Sequence, residues 1–210
     1  MGYSQGGGAA AWAAELAPTY ASELKIKGVA AGGVPADLTK VADLLDGSPF
    51  VALALMASLG LDTAYPELDL EGYLNARGRK LVADANALCL TSFDGVKTLV
   101  GTSFHRIDDY VTTNPLTTAP WKARLEENRL GKVKPTAPIF QYHALADEMV
   151  AYGQGATLRR DWCNRGANVT WATFPVAEHV LGIVQGQGPA LDFLSARFAG
   201  IPAVSNCALP

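Results

Sequence analysis

The sequence lacks several features that would place it in other classes of protein. None of its 210 residues lies in an uninterrupted apolar stretch of about 18 residues, so no membrane-spanning helix is expected. Its 17 basic and 20 acidic residues give a net charge of -3, without the basic footprint of a nucleic-acid binder. Residues 1–8 contain no basic segment followed by an apolar stretch and a small-residue cleavage site, so no signal peptide is expected there.

Cysteine and histidine are also scarce. The sequence contains three cysteines: Cys89, Cys163 and Cys207. In an exported protein this odd number would leave one thiol without a disulfide partner. The sequence also contains three histidines: His105, His143 and His179. Chemistry that requires an imidazole must therefore use one of these three side chains.

The two ends of the sequence alternate between strand and helix patterns. Hydrophobic residues make up 49% of the chain, which is enough for one packed core and suits one domain with an insertion. Apolar runs and helical spacing predict strands over 25–33, 138–143 and 168–174 and helices over 9–16, 150–165 and 190–198. This alternation is typical of a parallel sheet covered by helices, so we predict an α/β fold.

The middle of the sequence has a different character. Residues 36–129 show helical spacing and no clear strand, and Thr118 followed by Pro120 predicts the start of a helix. The apolar run over 50–59 predicts a buried or cap helix. We therefore predict that residues 1–34 and 131–210 form the core and that residues 35–130 form an inserted helical cap.

Residues 2–6 match the pattern G-x-S-x-G, with Ser4 at its centre. In this pattern the serine occupies a strained turn between a strand and a helix, which exposes its hydroxyl. Glycine is expected at Gly2 and Gly6 because a side chain at either position would clash. The helix that follows would point the backbone N–H of Gln5 at a developing oxyanion. A flexible, glycine-rich N-terminus without function is the alternative.

A serine nucleophile needs a base within hydrogen-bond reach and a carboxylate that orients the base. His179 follows the last predicted strand, whereas His105 lies in the insertion and His143 ends a strand, where it could be an interior or near-site residue. The chain order of this kind of site is serine, acid, histidine, which places the acid after the penultimate strand. Asp147 and Glu148 both lie there, and the pattern alone leaves both open.

These residues resemble those of the secretory lipases of fungi and actinobacteria, the lipase A type. The resemblance runs through nearly the whole chain, at residues 2–7, 32–33, 121–131, 138–148, 162–169 and 178–179. It implies part of an α/β-hydrolase fold, in which a short parallel sheet with flanking helices carries a helical cap inserted after the sixth strand. It also implies hydrolysis of carboxylic or acylglycerol esters, often triacylglycerols, through an acyl-enzyme.

The resemblance assigns roles to particular residues. It implies Ser4 as nucleophile, Asp147 rather than Glu148 as acid and His179 as base, with the N–H of Gln5 as an oxyanion donor. It implies an ester or lipid as substrate and no metal or organic cofactor. Residues that bind the substrate are not identified, since the apolar run over 50–59 could contact an acyl chain or form the core of the cap.

This sequence departs from the family in lacking the long region before the serine, which supplies the signal peptide, five strands and a second oxyanion donor. We therefore expect secretion by resemblance only, weak activity, and a sheet of about three strands. The strand over 25–33 would then have an exposed edge, covered by a homodimer or by the missing N-terminal part. Cys89 would have lost its partner, which leaves Cys163 and Cys207 as a candidate disulfide.

Two other functions remain open at this point. The chain could be a non-catalytic remnant that binds lipid or acyl ligands without turnover. It could also cleave peptides or amides, because a fold does not fix its substrate.

Overall fold

The computed structural model describes residues 1–86, 89 and 92–208. The chain forms two compact units, of which one comprises Met1–Leu38 and Arg129–Pro210 and the other comprises Thr39–Asn128. We describe each unit by itself. The assignment of residues 1–34 and 131–210 to a hydrolase core and of residues 35–130 to a cap stays a prediction.

The described chain contains four strands and, apart from short 3-10 turns, nine helices. The strands are β1 (Gly2–Tyr3), β2 (Val29–Gly32), β3 (Ile139–Ala144) and β4 (Val169–Phe174). The helices are α1 (Gln5–Tyr20), α2 (Leu38–Leu45), α3 (Val51–Ala64), α4 (Leu70–Tyr73), α5 (Ala76–Ala85), α6 (Phe93–Thr102), α7 (Ala119–Glu127), α8 (Tyr152–Asn164) and α9 (His179–Phe198). None of these helices is both long and apolar enough to cross a membrane.

The first unit is built on a parallel sheet in the order β1-β2-β3-β4. Tyr3 pairs with Gly32, and the backbone N–H of Ser4 continues the ladder by donating to the Gly32 carbonyl over 2.9 Å. The prediction of about three strands with an exposed edge at β2 is therefore wrong. The extra strand escaped prediction because two residues are too few to show the period of a strand.

The last residues of the described chain pack along the edge of the sheet that β4 forms. The side chain of Asn206 accepts from the Trp171 N–H over 2.8 Å and donates to the Trp171 carbonyl over 2.9 Å. A disulfide joins Cys163 of α8 to Cys207. The candidate disulfide is thus present, and Cys89 lies outside it at an exposed position.

Helices cover both faces of this sheet. One face packs against α1 and α8 through a cluster of buried apolar residues that includes Ala11, Ala14, Val29, Ala31, Ile139, Leu158, Trp162 and Val169. The other face packs against α9 through Ala30, Phe140, Tyr142 and Ala190. Small residues permit this packing: a Cβ added to Gly186 of α9 would lie 2.1 Å from the ring of Tyr142.

Two helices of the first unit differ from their predicted bounds. Helix α1 is longer than the predicted 9–16 and passes through Pro18. Helix α9 begins eleven residues before the predicted start at residue 190, because the carboxylate of Glu178 caps it by accepting from the N–H groups of Val180 and Leu181. Pro189 lies inside α9, where it removes one backbone donor but does not end the helix.

The second unit is mostly helical, as predicted, and contains the helices from α2 to α7. Helix α7 follows Thr118 and has Pro120 in its first turn, which confirms the predicted helix start. Trp121 of this helix is fully buried, and its indole N–H donates to the Leu68 carbonyl over 3.1 Å. An isolated antiparallel bridge between residues 74 and 111 is the β pairing described in this unit.

A buried carboxylate ties α1 to the loop before β3. Glu15 is 2% exposed, and its Oε1 accepts from the Gly131 N–H over 2.6 Å and from the Trp162 indole N–H over 2.7 Å. Its Oε2 accepts from the Val133 N–H over 3.3 Å. Three donors from two segments that are distant in sequence therefore converge on one side chain.

Replacing this carboxylate should destabilise the protein. The substitution Glu15→Ala leaves the buried N–H groups of Gly131 and Trp162 without their acceptor, and each such donor costs about 1 to 3 kcal/mol. We expect the free energy of unfolding to fall by about 3 kcal/mol or more, measured by urea denaturation. Glu23→Ala is the matched control, because Glu23 is exposed and its loss should change stability by less than about 0.5 kcal/mol. Equal effects of the two substitutions would contradict this role of Glu15.

Candidate active site

Ser4 occupies the turn between β1 and α1 in an unusual backbone conformation. Its φ of 55° and ψ of -122° lie in a region that residues with a side chain rarely adopt. The conformation is held by two hydrogen bonds, from the Ser4 N–H to the Gly32 carbonyl and from the Gly8 N–H to the Ser4 carbonyl, both 2.9 Å long. The strained strand-to-helix turn that the G-x-S-x-G pattern predicts is therefore present at Ser4.

The glycines around this turn differ in how much space a side chain would have at each position. A Cβ at Gly2 would lie 2.0 Å from the carbonyl oxygen of Gly6, so no side chain fits at Gly2. A Cβ at Gly6 would meet nothing within 4 Å, so the expected clash at that position is wrong. The next close approach is at Gly7, where a Cβ would lie 2.2 Å from the carbonyl oxygen of Gly32. The steric demand thus falls on Gly2 and Gly7, which bring β1 and α1 together.

Gln5 is the first residue of α1 and follows Ser4 directly. The backbone N–H groups of the first turn of a helix have no acceptor within the helix, and they carry the positive end of the helix dipole. The N–H of Gln5 is therefore available, next to the serine, as a donor to an anionic oxygen.

A chain of hydrogen bonds joins the three predicted site residues, although the first and last are 175 residues apart in sequence. The Ser4 Oγ lies 2.9 Å from the His179 Nε2. The Nδ1 of the same imidazole lies 2.8 Å from each carboxylate oxygen of Asp147. This arrangement can pass a proton from the serine hydroxyl to the imidazole while the carboxylate holds the opposite side of the ring.

Asp147 is held in a buried position by its own loop. Its Oδ1 accepts from the backbone N–H groups of Met149, over 3.0 Å, and Val150, over 2.7 Å. Burial alone would raise the pKa of Asp147, but hydrogen bonds from His143, His179 and the Val150 N–H outweigh it and hold the pKa well below its ordinary value. Asp147 therefore carries a negative charge at neutral pH beside the imidazole.

The backbone of His179 is fixed at both of its polar groups. Its N–H donates to the Glu148 carboxylate over 3.0 Å, and its carbonyl accepts from the Tyr3 hydroxyl over 2.7 Å. Burial, with the nearby charge of Asp147 adding to it, raises the pKa of Tyr3, so its hydroxyl stays a neutral donor. Of the two candidate acids, Asp147 contacts the imidazole ring and Glu148 contacts the backbone.

Sequence reasoning left His143 open as an interior or near-site residue, without predicting its contact with Asp147, and missed the contribution of Tyr3. His143 is fully buried, and its Nε2 lies 3.3 Å from the Asp147 Oδ2. The spacing of four residues between a strand-end histidine and the acid was a signal that could have suggested this contact. Tyr3, inside the G-x-S-x-G pattern, binds the histidine carbonyl across 176 residues of sequence, and no local pattern predicts such a contact.

The remaining histidine does not belong to this group of residues. His105 lies in the second unit, where its Nδ1 is 2.7 Å from the Tyr110 hydroxyl and 2.9 Å from the Arg77 guanidinium. Among the described residues, no group of three or more histidine, cysteine, aspartate or glutamate side chains is arranged to hold a metal ion.

Comparison with known proteins gives this geometry a family context. A model of the secretory lipase family matches residues 1–206. Lipase A of Moesziomyces aphidis is 32% identical over 100% of this chain and 47% of its own length. A secreted triacylglycerol lipase of Malassezia furfur is 30% identical over 98% of this chain and 43% of its own length. The chain thus spans about half the length of the curated relatives it matches.

Solved structures agree with the sequence comparison. The closed state of Candida antarctica lipase A matches with a TM-score of 0.88 and 32% identity, over 100% of this chain and 50% of that one. The rice cell wall degrading esterase of Xanthomonas oryzae shares the fold at 18% identity, with a TM-score of 0.67 over 93% of this chain and 56% of that one. The predicted α/β-hydrolase fold is confirmed, and the chain belongs to the secretory lipase family.

Proposed function

We propose that this chain is a serine hydrolase of carboxylic esters, with Ser4 as nucleophile, His179 as base and Asp147 as acid. The observation that carries the proposal is the continuous set of hydrogen bonds from the Ser4 hydroxyl through the imidazole to the carboxylate. The backbone strain at Ser4 supports it, because strained positions of this kind are concentrated at functional sites.

The mechanism follows from the positions of the protons. His179 accepts the hydroxyl proton of Ser4 as the serine oxygen attacks the ester carbonyl carbon. Asp147 keeps the Nδ1–H tautomer of the ring and stabilises its positive charge. The protonated Nε2 then gives its proton to the departing alcohol, which leaves an acyl-serine. Water attacks the acyl-serine with the same base, and the carboxylic acid leaves.

The negative oxygen that forms during each attack needs donors. In our proposal the N–H of Gln5, at the N-terminus of α1, supplies one of them. Loss of one oxyanion donor costs about 3 kcal/mol of transition-state stabilisation, or about a hundredfold in rate. Turnover should therefore be slow if Gln5 acts alone.

The surroundings of His179 favour an apolar substrate. Four exposed aliphatic side chains lie on α9 or on the loops next to the histidine: Leu145, Val176, Val180 and Val184. Exposed apolar groups beside a polar reactive centre suit the acyl part of an ester. The names of the relatives, which include secreted triacylglycerol lipases, support an acylglycerol substrate and secretion by family membership.

Binding of lipid without turnover is less well supported. One apolar cavity of the second unit, lined by Leu55, Leu74, Leu81 and Val111 among others, has a volume of about 20 Å³. That is about the room that one water molecule occupies, so the cavity does not accommodate an acyl chain. An amide substrate is favoured by no observation on the described residues.

Removal of the nucleophile is the direct test of the proposal. The substitution Ser4→Ala should lower kcat for p-nitrophenyl butyrate by at least about 10⁴-fold and abolish labelling by a fluorophosphonate probe. Ser22→Ala is the matched control, because Ser22 is exposed on the connection between α1 and β2. Hydrolysis that persists unchanged in Ser4→Ala would refute the assignment.

Two further substitutions separate the candidate acids. Asp147→Asn should lower kcat by about 10⁴-fold, because the amide favours the wrong tautomer of His179. Glu148→Gln should lower kcat by less than about tenfold, because the amide oxygen still accepts the His179 N–H. Steady-state kinetics of both variants gives the answer, and a larger loss in Glu148→Gln would make Glu148 the acid.

The charge of Asp147 also predicts a dependence of stability on pH. Its pKa is lower in the folded chain than in the unfolded chain, because the hydrogen bonds from the two histidines and Val150 outweigh its burial. Its stabilising contribution is therefore complete above about pH 5 and is lost as the pH falls towards the folded pKa. Between pH 5 and pH 2 the free energy of unfolding should fall more steeply for the wild type than for Asp147→Asn. Parallel curves from urea denaturation would contradict this.

A further inference from the structure

We propose that His143 is a positioning residue that orients the Asp147 carboxylate and acts on the reaction only through it. This inference rests on the proposed function, since it adds a residue to the same hydrolytic site. His143 is the last residue but one of β3 and is completely buried, so it has no access to a substrate. Any effect it has on turnover must be transmitted through its neighbours.

The hydrogen bonds of His143 define which of its ring nitrogens carries the proton. Its Nε2 lies 2.8 Å from the carbonyl oxygen of Val150 and 3.3 Å from the Oδ2 of Asp147. A carbonyl oxygen accepts and does not donate, so the proton must be on Nε2. This N–H therefore donates to the Val150 carbonyl and lies beside the Asp147 carboxylate, while the opposite nitrogen, Nδ1, has no hydrogen-bond partner among the described residues.

The contact falls on the less supported oxygen of the acid. The Oδ1 of Asp147 accepts from the backbone N–H groups of Met149 and Val150. Oδ2 lies 2.8 Å from the His179 Nδ1 and 3.3 Å from the His143 Nε2, whose N–H donates to the Val150 carbonyl. The last torsion of an aspartate side chain is soft, so a carboxylate held at one oxygen can rotate. The His143 N–H opposes that rotation and keeps both oxygens 2.8 Å from the His179 Nδ1.

His143 is itself confined from three sides. The rings of Tyr152 and Trp171 lie against it, with centroids 5.9 and 6.5 Å from its own. Behind it, a Cβ at position 155 would come within 2.4 Å of its Nδ1, so Gly155 provides the space that the imidazole occupies. A ring held in this way presents its N–H in one direction.

The test begins with two variants of similar size. His143→Leu removes the donor and should lower kcat for p-nitrophenyl butyrate by about 10- to 100-fold, the usual range for a hydrogen bond to a charged group, with KM changed less than about twofold. His143→Gln, whose amide N–H can replace Nε2–H, should restore kcat to within about fivefold of the wild type. Titration with a fluorophosphonate gives the concentration of competent serine, so that misfolded protein does not enter kcat.

A double-mutant cycle separates positioning from a structural role. In an Asp147→Asn background there is no carboxylate to orient, so His143→Leu should change kcat by less than about threefold. The same 10- to 100-fold loss in both backgrounds would overturn the proposal. A full kcat in His143→Leu itself would do the same.

Two controls keep the result decisive. Hydrolysis that survives Ser4→Ala would refute the proposed function whatever His143 does, whereas dependence on Ser4 with a normal His143→Leu would refute the positioning role alone. If His143→Leu does not fold, the wild-type protein can still be used to test which ring nitrogen of His143 carries the proton. Long-range ¹H–¹⁵N NMR of the His143 ring should show the proton on Nε2, and a proton on Nδ1 alone would leave no donor for Asp147.

Discussion

The parallel register of the four strands is the constraint on which the site depends. Parallel strands end at the same edge of a sheet, so the residues that follow β1, β3 and β4 meet there however far apart they are in sequence. Ser4 follows β1, the loop with Asp147 follows β3, and His179 comes after β4. The hydrogen bonds between Ser4, His179 and Asp147 can form because the parallel sheet places these three residues at the same ends of its strands. A slip of one residue in the pairing of β3 with β4 would reverse the faces of β4 and break them.

The position of His179 has an electrostatic consequence. As the first residue of α9, it lies at the positive end of the helix dipole, which opposes a positive charge on the imidazole. Three carboxylates offset this: Asp147 on the ring, Glu148 on the backbone N–H of His179, and Glu178 on the next two N–H groups. In the proposed mechanism the acidic residues around the histidine thus stabilise both the end of the helix and the positive charge on the imidazole.

How much of this could be read from the sequence depends on the range of each interaction. The strained turn at Ser4 could be predicted because it is encoded within five residues, and the position of His179 next to Ser4 because chain order left few candidates. The start of α9 was missed, since three glycines and Pro189 weaken its helical pattern, while the Glu178 cap and packing on Tyr142 stabilise it. The contact of Tyr3 with His179 depends on the folded sheet and has no counterpart in local sequence.

All side chains of the proposed mechanism belong to the first unit. Their geometry is determined by a sheet, two helix N-termini and a loop that carries its own hydrogen bonds. The register of the sheet therefore constrains the proposed site, whereas the fold alone does not determine the substrate. The strained conformation of Ser4 depends on the same part of the sheet, since it persists only while Gly2, Gly7 and Gly32 keep β1, α1 and β2 in close contact.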